Sequence, residues 1–245
     1  MADATYIQEF ATREPALSAP VRHSAVVRVT HWVGSLSFIG LVVSGVGIIL
    51  AHPRFYWGET GGVGTPSLFD LPLPFMLGGP SGWGRYLHFE SAWVCVLNGL
   101  VYGISSLTRR HFRENLMPAQ EDWQWRSLRR ELATHLRFAR PAPESASSYN
   151  TLQKLSYLTV IFVLFPLMIW TGLAMSPAVT SVFPVLVNVL GGHQTARTLH
   201  FFGTLILVLF VLVHIAMVWR AGFRSRVGAM ITGRMPKWEE TGKGE

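Results

Sequence analysis

Apolar residues in this chain gather into four runs, each long enough to cross a hydrocarbon layer about 30 Å thick, which takes around 20 helical residues. They lie between Arg28 and Arg54, between Arg85 and Arg109, from Lys154 to about Met175, and between Arg197 and Arg220. Basic residues bound the first, second and fourth runs at both ends and the third at its start, where their long side chains reach the interface while the stems stay among lipid. The pattern predicts an all-α membrane protein, a four-transmembrane-helix bundle with helices at about 29–51, 86–108, 153–175 and 197–220. The chain 1–245 then forms a single membrane domain with an outer loop 52–85 and a cytoplasmic loop 109–152. Interfacial helical segments complete the picture. Ser176 to Ala196 carries no charged residue, but Pro177, Pro184 and Gly191-Gly192 interrupt it, which predicts a short surface-lying piece. In the middle loop, Trp125, Leu128, Leu132 and Leu136 share one helical face among arginines, as in a helix on the inner leaflet; a solvated basic linker is the other reading.

Charge orients the bundle. Nine Lys/Arg fall in 108–154 and six in the tail from Arg220, whereas 52–85 holds only Arg54 and Arg85. The positive-inside rule then places both termini and the middle loop in the cytoplasm of a bacterial inner membrane. The first 28 residues are polar, and the run after them lacks a small-residue cleavage site, so it is expected to stay as the first helix. A net charge of +7 can signal nucleic acid, but here the cations sit at the ends of apolar runs and form no basic face, so a nucleic-acid partner is not expected. At 14% charged residues the chain falls well below the roughly 25% of soluble domains, and its expected surroundings are the lipid bilayer. The single cysteine, Cys95, rules out a disulfide framework and a four-thiolate metal site, and the lack of C-x-x-C-H rules out covalent haem.

The histidines carry the chemistry. Of nine, His31, His88, His200 and His214 sit inside apolar runs, where ionisable side chains are costly and mark bundle-interior sites. His200 and His214 are 14 residues apart. At about 100° per residue that is roughly 40° short of four turns, so both rings share a face, about 21 Å apart along the axis. His31 opens a helix entering from the cytoplasm, and His88 opens one entering from outside. Depth therefore pairs His88 with His200 on the outer side and His31 with His214 on the inner side. Two stacked bis-histidine pairs are what two b-type haems need.

Arginine precedes three of these histidines by three residues: Arg28 before His31, Arg85 before His88 and Arg197 before His200. Such an arginine lies one turn nearer the surface, where a guanidinium would meet a haem propionate, or would simply mark a helix end. Gly45, 14 residues after His31, and Gly203, one turn below His200, offer room for a macrocycle. Gly99 and Gly103 form a G-x-x-x-G that serves equally for helix packing. His23, His52, His111, His135 and His193 fall in aqueous or interfacial segments and are given no ligand role. Glu90 neighbours His88 and is read as a surface-directed carboxylate.

With these residues placed, the chain resembles the bacterial di-haem cytochrome b superfamily, which includes the membrane subunits of respiratory formate dehydrogenase and nickel–iron hydrogenase. The resemblance rests on Arg28-x-x-His31-Trp32, His88, and His200 with His214, and covers roughly 22–110 and 149–222. Tyr149-Asn150-Thr-Leu-Gln153-Lys154 looks like a motif of the formate dehydrogenase subunit, in which the asparagine and the inner-haem histidine help form the quinone pocket. That implies Asn150, Gln153, Lys154 and His214 as quinone-site residues; Asn150 also suits a helix N-cap. The resemblance implies an electron-transfer protein of a respiratory chain, linking quinone through two haem b groups to a catalytic redox subunit on the outer side. The alternative is a free-standing quinone-linked oxidoreductase acting on a small outer-side substrate such as superoxide.

Overall fold

The computed structural model describes residues 23–62, 64–72, 82–108 and 151–234. The expected amphipathic stretch of the middle loop, and Asn150, lie outside the described residues. Four helices are long and apolar enough to cross a membrane: Ala25–Ala51, Gly82–Ser106, Leu155–Ala174 and His193–Arg220.

Helix α1 spans Ala25–Ala51 and begins where the Ser24 side chain accepts from the Val27 N–H at 3.4 Å, so Arg28 lies in its first turn. Its end precedes Pro53, which disfavours helical geometry at His52. Two short strands follow, β1 at Arg54–Phe55 and β2 at Phe69–Asp70, paired antiparallel with Arg54 opposite Asp70 and Phe55 opposite Phe69. Helix α2 is Gly82–Thr108. The third crossing is α3 (Thr151–Thr159), a π-helical turn at Val160–Leu164, and α4 (Phe165–Ala174). Pro166 has no N–H for the carbonyl four residues earlier, and just ahead of it the Phe165 N–H bonds to Val160, five residues back. The expected surface piece is two short helices, α5 (Pro177–Thr180) and α6 (Val185–Asn188), before α7 (His193–Arg220). A helix of 10 residues that the sequence pattern did not predict, α8 (Phe223–Thr232), lies between Gly222 and Gly233, both left-handed.

The bundle has a hairpin end, where β1–β2 meets the start of α7, and a tail end, where α8 meets the start of α1. At the tail end the Arg28 guanidinium donates to the Ile231 carbonyl, and the Trp32 indole donates to Met230 at 3.1 Å.

Burial is inverted relative to a soluble core. Leu36, Leu97 and Leu209 are exposed, while Ser44, Thr171, Thr195 and Thr198 are fully buried. Lipid tails are as apolar as leucine, so helices associate through small residues and internal hydrogen bonds. Between α1 and α2, the Asn98 amide donates to the Thr30 carbonyl at 2.8 Å, and a Cβ on Gly40 would collide with Ser91. Helix α4 packs on α7, and Val160, Leu164 and Leu207 form a buried cluster joined by Phe38 from α1.

Candidate functional site

The four intramembrane histidines meet in twos. His88 on α2 faces His200 on α7 with ring centres 6.2 Å apart, at the hairpin end. His31 on α1 faces His214 on α7 with centres 6.5 Å apart, at the tail end. Their separation follows from α7 itself, on which 14 residues rise about 21 Å. Midway between them along α7, Leu207 joins the buried apolar cluster with Val160 and Leu164.

The ring environments differ. The Ser44 hydroxyl donates to the Gly40 carbonyl at 2.6 Å and lies 3.0 Å from His88 Nδ1. The Thr171 hydroxyl donates to Leu167 at 2.7 Å and lies 2.9 Å from His200 Nδ1. The tail-end rings have aromatic neighbours instead: His31 is edge-on to Trp32, and His214 stacks on Phe210 with Tyr157 beside it. Among the described residues the carboxylates are Glu59, Asp70 and Glu90. Glu59 meets His193 at 3.7 Å and Asp70 meets Arg54 at 3.5 Å, so no described carboxylate orients a histidine of either pair.

Glycines open space at the hairpin-end pair. A Cβ on Gly45 would lie 3.8 Å from His88 Cε1, and one on Gly172 would lie 3.7 Å from His200 Cε1. Gly203 does something else: its Cβ would come within 2.7 Å of the Met168 sulfur, so it serves the α4–α7 contact. A Cβ on Gly99 or Gly103 would meet no described atom within 4 Å.

The arginines have backbone partners. Arg197 donates to the His52 carbonyl and lies over the Phe55 ring at 5.0 Å, while Arg28 serves Ile231 and leaves its buried Nε unpartnered among the described residues. Arg85 is exposed. Burial, then the charges of Arg197 and Arg85, hold the His52 imidazole below its ordinary range, so it is neutral at pH 7. Gln153 and Lys154 fall in the first turn of α3, one turn before Tyr157, which touches the His214 ring at 6.5 Å.

The hairpin clamps the entrance to α7. Thr198 donates to the Tyr56 carbonyl at 2.7 Å, the Gly58 N–H donates to Thr195 at 2.8 Å, and the Gln194 N–H donates to Gly58 at 3.0 Å. Phe55 stacks on Phe69 and packs against Phe201, next to His200. Ser44, Thr171, Gly172 and this clamp are not marked in the sequence: each acts on a partner from another element, and no spacing along the chain encodes it.

A sequence profile of the prokaryotic cytochrome b561 family matches residues 22–233. The chain belongs to the prokaryotic cytochrome b561 family. A putative protein-methionine-sulfoxide reductase subunit of Azospira oryzae is 31% identical over 201 residues, 80% of this chain and 89% of that one. Probable Ni/Fe-hydrogenase B-type cytochrome subunits are similar too: that of Cupriavidus necator at 26% over 95% of this chain and 94% of its own, and that of Rhodobacter capsulatus at 27% over 91% and 86%. No solved structure matches significantly. As a member of this family the chain is a membrane cytochrome b with an electron-transfer role, and the family implies b-type haem.

The residues fit that group. An imidazole nitrogen lies about 2 Å from a bound transition metal and a little over 1 Å from its ring centre, so two rings flanking one ion stand roughly 6 Å apart. Both observed separations meet this. Among the described residues no cluster of three or more His, Cys, Asp or Glu occurs, so candidate ligands come in twos, which suits an iron whose other four positions a macrocycle fills.

Proposed function

We propose that this cytochrome holds two b-type haems, one between His88 and His200 and one between His31 and His214, and links membrane quinone at the tail end to a redox partner at the hairpin end. The two facing ring pairs carry this reading. Bound haem supplies a one-electron carrier at each level. The protein supplies neutral imidazoles, an apolar layer between levels, and an outer face organised by the hairpin. The lysine and arginine distribution supports a cytoplasmic tail end and an outer hairpin end in a bacterial inner membrane. The buried Nε of Arg28, which has no acceptor among the described residues, supports a propionate contact there. Arg85 and Arg197 are the corresponding outer candidates, with Gly45 giving room beside His88.

Quinone is placed near Asn150, with Gln153, Lys154 and His214, because an amide and an imidazole edge can hydrogen-bond a quinone carbonyl. The proximity of α3 to His214 through Tyr157 supports this location. The similarity to a reductase subunit supports electron flow from quinol outward to a reductase, the relative's partner being of that kind by name. Chemical reduction of the purified protein followed spectroscopically should reveal two b-haem transitions and two haems per chain; a colourless protein would end this reading. Asn150→Ala is expected to raise the KM for a soluble quinol about 2–10-fold, the value of one hydrogen bond, with haem content unchanged.

A second reading, a free-standing oxidoreductase, draws on a cleft of about 740 Å³ at the hairpin end, lined by His52, Arg54, Tyr56, Gln194 and Arg197. Co-purification separates the two: a stable catalytic partner supports the first, and turnover of a small substrate by the isolated chain supports the second.

A further inference from the structure

Among the described residues, the hairpin-end pair has hydroxyl partners that the tail-end pair lacks. A serine or threonine hydroxyl carries one hydrogen. Ser44 gives its hydrogen to the Gly40 carbonyl at 2.6 Å, and Thr171 gives its own to the Leu167 carbonyl at 2.7 Å. Each oxygen therefore meets the neighbouring imidazole as an acceptor, at 3.0 Å from His88 Nδ1 and 2.9 Å from His200 Nδ1. With the hydroxyl hydrogens so placed, both Nδ1 atoms carry hydrogen. In a neutral imidazole with hydrogen on Nδ1, the lone pair is on Nε2. No hydrogen bond reaches the ring of His31 or His214 from the described residues.

We propose that Ser44 and Thr171 are positioning residues for the hairpin-end haem: they fix the Nε2-ligating tautomer of His88 and His200 and lower that haem's reduction potential. The inference rests on the reading of this pair as haem ligands. An imidazole that donates through Nδ1 becomes a more basic ligand through Nε2 and favours the more highly charged iron. Both hydroxyls sit on helices other than those of the rings they bind, Ser44 on α1 and Thr171 on α4, so each bond also holds its ring's rotation. Among the described residues nothing gives this contribution to the tail-end rings, which are set among Trp32, Phe210 and Tyr157.

The test is potentiometric titration of the full-length protein carrying Ser44→Ala, Thr171→Val, or both. With two haems still bound, one transition should move to higher potential, further in the double variant, while the other stays in place. Thr171→Ser, which keeps the hydroxyl, should titrate like the parent. If an apolar variant loses haem, Ser44→Cys replaces it: the thiol is a weaker acceptor, and a smaller upward shift of the same transition is expected. Unmoved potentials with full haem content, or equal shifts of both transitions, would overturn the proposal. Absence of any b-haem from the parent protein would instead defeat the underlying reading, so the two failures are distinct.

Discussion

Alanine at His88 or at His200 is expected to leave a protein with one haem in place of two, and the same transition should vanish from the redox titration in both variants. Alanine at His31 or His214 should remove the other transition. The critical comparison is His200→Ala against His214→Ala, since both residues belong to one helix and differ only in depth. Among the described residues each ring faces one other histidine, at 6.2 Å for His88–His200 and 6.5 Å for His31–His214, so losing either member would leave a haem held there with one imidazole. Electron passage between quinol and an outer acceptor should fall by more than the roughly 10–100-fold that loss of a hydrogen bond to a metal ligand costs. The other histidine pair lies about 21 Å further along α7, beyond the Leu207 layer, so a haem held there should keep its potential and spectrum. If His88→Ala and His31→Ala removed the same transition, the pairing would be wrong.

Much of this was legible in the chain because a membrane simplifies the code. A crossing helix has to be long and apolar, so four runs sufficed to predict an all-α bundle. The 14-residue interval on α7 sets both facing and depth by helix geometry alone. Boundaries were less legible. Helix α1 starts at Ala25 and α7 at His193, each four residues before the expected start, because Ser24 caps one and the hairpin receives the other. Contacts between distant residues were not legible at all. Serine and threonine are ordinary in apolar helices, where they bond to their own preceding turn, as Ser37 does to Val33 at 2.8 Å. Nothing in the local pattern distinguishes Ser44 or Thr171, whose ring partners are 44 and 29 residues away. The arginines teach a related lesson. The i, i+3 offset fixes where the backbone puts Arg28 and Arg197, but a long guanidinium has several acceptors in reach, and here each takes a carbonyl from another segment.

The largest effect away from the histidines is expected at Gly192, the residue before α7. Its φ of 123° and ψ of 169° lie in a region that is essentially glycine-only, where a side chain costs roughly 1–3 kcal/mol. There is also no room: a Cβ would stand 2.5 Å from the carbonyl carbon and oxygen of Gly58 and 2.6 Å from the Glu59 nitrogen. These are backbone atoms, so no rotamer change relieves the overlap. In Gly192→Ala the loop must therefore withdraw, and with it go the bonds that Gly58 makes with Thr195 and Gln194 and the bond that Thr198 donates to Tyr56. The conformational cost alone predicts a Tm lower by roughly 3–10 °C for a domain of this size. Withdrawal should also open residues 54–62 to proteolysis and, on the two-haem reading, shift the spectrum of a haem held by His88 and His200 while leaving the other unchanged. Gly191→Ala is the control. Gly191 has φ 80°, but its Cβ would meet only the Thr195 hydroxyl, at 4.0 Å, so left-handed strain of about 1–2 kcal/mol is all it should show. Equal losses in the two variants would mean that the clamp on α7 adds nothing beyond backbone strain, and that the start of this helix is set without the hairpin.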